Sequence, residues 1–181
     1  MTQARKPVYH QDPGGHDTCG PGGCGGSLTV PGSFVLQANN AFKYILNLPI
    51  AVWGTDFEAA LAQAKQTGGI VMADFSATNC WHCQLLRKTV FDTPYFTFWV
   101  QMRSAVRPII LFRHEIANFG LPDALCKKCD VGVQGGTGFP SVIGLNADGS
   151  ERGRQVGFGN DTLMWQWLAG FESAAALDQS P

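Results

Sequence analysis

The six cysteines of this 181-residue chain stand in three short-range pairs, Cys19/Cys24, Cys80/Cys83 and Cys126/Cys129. A cross-link that closes so few residues removes little entropy from the unfolded chain, which makes stapling a weak reason for them. Close thiol pairs suit two other chemistries: thiol–disulfide exchange and ligation of a soft or borderline cation. In Cys80-Trp81-His82-Cys83, the preceding Ala77-Thr78-Asn79 reads as a turn and the following residues as a helix, so Cys80 is expected at a helix N-terminus. Unsatisfied N–H groups and the positive end of the macrodipole stabilise a thiolate there, drawing a cysteine pKa down to about 3.5 to 7.5 in such sites. Cys80 is then the attacking sulfur and Cys83, one turn further in, the resolving one. A protonated His82 would add positive charge beside the thiolate and favour the reduced form; about 30 mV of potential corresponds to about 1.4 kcal/mol. Trp81 is expected on the rim, as a substrate contact or as a cover over the sulfurs.

Cys126-Lys127-Lys128-Cys129 falls where a short helix should end. Helical residues three apart hold their Cβ atoms about 5 to 6 Å apart, whereas a disulfide wants about 3.5 to 4.5 Å. A bond there needs local unwinding. Three readings stay open for this pair: a second redox couple, a dithiol metal site completed by Cys80/Cys83 or the tail, and unpaired structural thiols. Cys19-Gly-Pro-Gly-Gly-Cys24, with His10 and His16 upstream, could be a secondary redox pair, a metal-capturing arm or an inert tail. His114, at a predicted strand end, reads as a surface residue rather than a ligand.

The elements that must position these groups follow from pattern. Residues 1–33 hold many Gly and Pro and few aliphatic side chains, and read as a flexible tail unable to offset its ordering entropy. Residues 34–52 carry Phe34, Val35, Leu36, Phe42, Tyr44, Ile45, Leu46 and Leu48, enough to dock a short strand or helix. A capping box at Thr55-Asp56-Phe57-Glu58 opens a helix of about three turns that stops at Gly68-Gly69. Ile70 to Ser76 is a mostly apolar strand with one acid, Asp74, inside it. A helix from Cys80 to Val90 or Phe91, a short helix opened by Asp92-Thr93-Pro94, a strand from Val106 to Phe112 and a short helix from Phe119 to Cys129 broken by Pro122 follow. Asn146-Ala147-Asp148-Gly149 joins Ser141–Leu145 to Arg152–Phe158 as a hairpin. A last helix, capped by Asn160/Asp161, runs to about Leu177 and turns Leu163, Met164, Trp167, Leu168 and Phe171 inward. This alternation predicts an α/β fold with a central mixed sheet and helices on both faces.

That order, with a C-x-x-C after the first core strand, resembles the thioredoxin fold, a three-layer architecture. The resemblance is carried by Asp74-Phe75 six residues before Cys80, by Phe139-Pro140 before the hairpin, and by Gly157-Phe158-Gly159 before the last helix. The stretch from Cys83 through Tyr95-Phe96 looks most like the thioredoxin-like branch that includes the C-terminal domain of the electron-transfer protein DsbD. The resemblance covers residues 53–178. It implies that Asp74 is a buried carboxyl that accepts the proton of Cys83, and that Pro140 is a cis-proline facing the sulfurs. Phe139 would then expose its backbone to a substrate strand. Departures from the family pattern fall at Asn79, at the bulky Phe139 and in the long loop Gln134–Gly138, and bear on specificity more than on chemistry.

The expected function is thus a thiol–disulfide oxidoreductase with no cofactor, whose partners are protein dithiols and disulfides and an upstream membrane or thioredoxin-type electron donor. Alternatives are a copper- or zinc-handling protein built on the cysteine pairs, and a redox-inert module that holds peptides near Pro140. With 13 basic against 14 acidic residues the chain lacks the electrostatic footprint of a nucleic-acid binder. No apolar run reaches the length of a membrane span. The resemblance favours a periplasmic or other extracytoplasmic site. Arg5 and Lys6 are followed by Gly, Pro, His and Asp where a signal peptide would place an apolar run, which favours the cytoplasm or a leader already removed.

Overall fold

The computed structural model describes residues 40–132 and 138–171. The expected tail with Cys19 and Cys24, most of the Gln134–Gly138 loop and the end of the last helix lie outside the described residues. Residues 40–46 form helix α1, which leaves Phe42, Tyr44 and Leu46 exposed. Of the segment expected to dock, Phe34, Val35 and Leu36 lie outside the described residues; in the rest, the Phe42 ring lies 6.4 Å from that of Tyr95 and the Pro49 carbonyl accepts from Thr97 at 2.8 Å, while Trp53, just after it, lies against Phe91 and Phe96.

Helix α2 spans Phe57–Thr67. Its N-cap is Asp56 rather than Thr55, because the Asp56 carboxylate accepts the Ala59 N–H at 2.9 Å. Gly68 closes it in the left-handed conformation at φ 68°, where glycine carries no Cβ penalty. Strand β1 (Ile70–Ala77) is buried on both faces throughout. It pairs in parallel with β2 (Ile109–Ile116) and antiparallel with β3 (Ser141–Leu145), which pairs antiparallel with β4 (Glu151–Val156). The sheet order is β2-β1-β3-β4, mixed as expected.

Strand β2 begins three residues later than its apolar run suggests and extends through Arg113-His114-Glu115. Val106 is 89% exposed in the turn out of the preceding helix, and Pro108 contributes a carbonyl to Ile70 N but has no N–H of its own. The polar end is drawn into the sheet by its pairing with the end of β1, Asp74 opposite Arg113 and Ser76 opposite Glu115. Gly54 bridges the outer edge of β2, its N–H reaching Leu111 O at 2.9 Å.

Successive side chains of a strand point to opposite faces, and β1 feeds two cores. Val71, Ala73, Phe75 and Ala77 meet Phe57, Ala60 and Ala64 of α2 and Cys126 of α5 (Ala124–Lys128). Ile70 and Met72 meet Leu86 of α3 (Trp81–Leu86), Val90 and Phe91 of the segment after it, Phe96 of α4 (Pro94–Ser104), and Met164 and Leu168 of α6 (Asp161–Gly170). Helices therefore cover both faces, giving three layers.

Local departures have local causes. The helix from the C-x-x-C continues as a π-helical turn over Arg87–Phe91, closed by Asp92 N to Arg87 O at 2.7 Å, with consecutive Val90 and Phe91 both in the core. Helix α4 uses Thr93 as its cap, with Pro94 in the first turn, and runs eleven residues. Helix α5 is shorter than expected because Asp123 caps it only after Pro122. On α6, Met164, Leu168 and Phe171 are buried as expected, Trp167 partly so, and Leu163 is exposed.

Candidate functional site

Cys80 is the N-cap residue of α3. Its backbone is extended (φ −100°, ψ 107°) and its Sγ accepts the Cys83 N–H at 3.2 Å. Cys83 sits one turn inside the helix that Cys80 caps; the two Cα atoms lie 5.3 Å apart, inside the span a disulfide bridges, and the sulfurs are bonded. Both cysteines are nearly buried, while Trp81 beside them is 69% exposed and His82 is exposed. The arrangement puts one sulfur against N–H groups at a helix start, with a second sulfur within bonding reach one turn on.

The loop before Cys80 is clamped to the loop after β2. Asn79 Oδ1 accepts Phe119 N at 3.0 Å, Asn79 Nδ2 donates to Asn118 Oδ1 at 3.2 Å, and Thr78 Oγ1 donates to Ala117 O at 2.7 Å. Asn79 thus has a structural task at a position where the family pattern differs.

The Phe139-Pro140 peptide is cis. Phe139 is half-buried and packs on the core cluster that contains Cys80 and Cys83. Gly132 lies beneath it: a Cβ built there would come within 2.4 Å of the Phe139 ring. Pro140 is buried, and its carbonyl accepts Gly157 N at 2.7 Å.

Asp74 points to the opposite face of β1 from Phe75, the face that α3 and the π segment cover. It is 1% exposed. Its Oδ2 accepts Arg113 Nε at 2.7 Å, and its Oδ1 is buried with no hydrogen-bond partner among the described residues. Burial raises the Asp74 carboxyl above its ordinary value, against the pull of Arg113. Arg113 is itself sandwiched between this carboxylate and the Trp53 ring, 4.5 Å from the ring centroid, with Asp92 at 3.9 Å. Arg113 is a site residue that sequence reasoning passed over; only the β1/β2 register brings it to Asp74.

Cys126 and Cys129 are both thiols. Cys126 is fully buried on the inner face of α5, and burial, with Asp123 beside it, pushes its pKa up to about 11. Cys129, at the end of α5, is partly exposed in a pocket lined by Phe57, Leu61 and Arg154, and burial raises it too. His114 is not a free surface residue. Its Nε2 lies 2.7 Å from Asp123 Oδ2, and its ring stands edge-on to Phe75 and parallel to Phe112. The sequence signal that could have found this group is Asp123, a capping acid three residues before a cysteine.

No helix among the described residues is long and apolar enough to cross a membrane. No curated protein matches the chain. Among solved structures it is similar to a DsbH oxidoreductase, 17% identical with a TM-score of 0.51 over 74% of this chain and 89% of that one. A thioredoxin from Thermus thermophilus is 19% identical with a TM-score of 0.51, over 70% and 93%. The oxidised C-terminal domain of Neisseria meningitidis DsbD is 22% identical with a TM-score of 0.48, over 65% and 97%. At these identities the likeness is one of fold. The sequence pattern of the thioredoxin-like domain matches residues 57–172, more than half of the chain, and the chain belongs to the thioredoxin-like domain family.

Proposed function

We propose that this protein is a thiol–disulfide oxidoreductase that exchanges a dithiol for a disulfide with protein partners through Cys80 and Cys83. The observation that carries the reading is the position of Cys80, an N-cap sulfur bonded to a cysteine one helical turn further on. In the reduced protein, the Cys80 thiolate attacks a substrate disulfide, forming a mixed disulfide and releasing one substrate thiolate. Cys83 then attacks Cys80 Sγ, re-forming the Cys80–Cys83 disulfide and releasing the second substrate thiol. The substrate gains two electrons and the protein loses two. A dithiol donor, membrane-bound or thioredoxin-like, returns them by the reverse exchange.

Asp74 is the group proposed to take the Cys83 proton. A carboxyl with a raised pKa on the face beneath α3 is matched to that task, and its Oδ1 is the oxygen not engaged by Arg113. Trp81 and His82, exposed between the two cysteines, and Phe139, packed on the cluster that holds them, are proposed to contact the substrate, with the backbone before cis-Pro140 receiving its extended chain.

Insulin reduction with a dithiol donor tests the reading. The wild type is expected to turn over, Cys80→Ser to fall to the uncatalysed rate, and Cys83→Ser to accumulate mixed disulfides that a reductant releases. Undiminished reduction by Cys80→Ser would overturn it.

A further inference from the structure

The end of β2 and the start of α5 bring together three side chains that the exchange reaction leaves unused. A ring nitrogen of His114, an Asp123 carboxylate oxygen and Cys126 Sγ all lie within 4.8 Å of one another. We propose that His114, Asp123 and Cys126 form a binding site for one borderline divalent cation, of which Zn²⁺ is the type.

The donor set, one imidazole, one carboxylate and one thiolate, is that of a zinc-class ion rather than of a hard alkaline-earth cation or thiolate-seeking Cu(I). Zinc bonds of about 2.0 to 2.3 Å in a tetrahedron place donor atoms roughly 3.2 to 3.6 Å apart. The closest pair here, His114 Nε2 and Asp123 Oδ2, is 2.7 Å apart, so an ion would enter by widening that pair by under about 1 Å.

The donors are already oriented. The ring contacts with Phe75 and Phe112 fix the imidazole plane. Asp123 spends Oδ1 on the Cys126 N–H at 2.9 Å, which turns Oδ2 toward His114. Asp123 and Cys126, three apart, share one side of the first turn of α5. Access exists as well. The His114 and Asp123 side chains are 20% and 45% exposed, whereas Cys126 is wholly buried, so the ion would enter from solvent, rest on the sulfur and keep a fourth position for water. On binding, the Cys126 thiol loses its proton to solvent and the His114–Asp123 contact is exchanged for two metal bonds. Such an ion would tie the end of β2 to α5 across the loop that Asn79 holds from the other side.

The test is a Co²⁺ titration, followed by Zn²⁺ competition, of the full chain carrying Cys19→Ser, Cys24→Ser, Cys80→Ser and Cys83→Ser. The expected result is one Co²⁺ per chain with a sulfur-to-cobalt charge-transfer absorption, displaced by Zn²⁺. His114→Gln and Cys126→Ser should each weaken binding by at least ~10-fold. Asp123→Asn should do the same while keeping the helix, because asparagine caps as well as aspartate. Cys129→Ser should leave binding unchanged. Absence of 1:1 binding overturns the proposal. So does a pattern in which Cys129→Ser weakens binding and His114→Gln, which is partly exposed and spares the core, does not.

Discussion

Arg113 Nε donates to Asp74 Oδ2 at 2.7 Å from the residue directly opposite it in the parallel register of β1 and β2. The contact gives a carboxyl in the sheet interior a cationic partner, yet burial outweighs the guanidinium and the group stays raised. The role proposed for Asp74 needs that balance, since a fully stabilised carboxylate would not take a proton and an unpaired one would not persist.

Replacing the acceptor should therefore slow the second step and spare the first. Asp74→Asn is expected to reduce the rate at which Cys83 resolves the mixed disulfide by on the order of 10²-fold. Stopped-flow reduction of a chromogenic disulfide separates the steps. An equal slowing of Cys80 attack would assign Asp74 to structure alone.

The same carboxyl makes stability depend on pH. Its folded pKa lies above its unfolded value, so the native state binds the extra proton between the two, and its contribution is complete below the unfolded value and lost as pH rises through the folded one. The melting temperature of Asp74→Asn minus that of the wild type should become more positive as pH rises through this window. Arg113→Gln removes the group that holds Asp74 down and should move the upper edge of the window to higher pH. Calorimetric scans from pH 4 to 9 read both effects; a flat difference would contradict them.

Gly144 carries a packing prediction. A Cβ there would meet the buried Phe171 ring at 2.1 Å, and both lie in the interior where β3 passes under the end of α6. Gly144→Ala should cost about 1 to 3 kcal/mol, read as a lower denaturation midpoint with an unchanged m-value. Phe171→Leu in the same chain should recover part of that loss, because the two substitutions share one volume.

Asn79→Ala should loosen the loop beside Cys80 and little else. Its side chain bonds Phe119 N and Asn118 Oδ1, while Asn118 Oδ1 also accepts Gly120 N at 2.8 Å. Losing two exposed bonds costs about 1 kcal/mol. Hydrogen exchange at the Phe119 amide should accelerate, with amides of β1 unchanged.

What the chain declared in one dimension was local. The C-x-x-C after an apolar strand, Gly68 after an amphipathic run, the Thr93-Pro94 start and the turn at Asn146–Gly149 all act within a few residues, so pattern and capping chemistry were enough to place the elements and the Cys80/Cys83 pair. The buried acid and cis-Pro140 were legible only through resemblance. What pattern could not supply is register and the third dimension. Nothing in Arg113-His114-Glu115 announces a strand, and only pairing with β1 sets Arg113 on Asp74 while sending His114 to the other face, toward Asp123 and Cys126. Strand alternation has a period of two, so a slip of one residue would exchange those two partners; that choice belongs to the packed sheet, not to the order of residues along the chain.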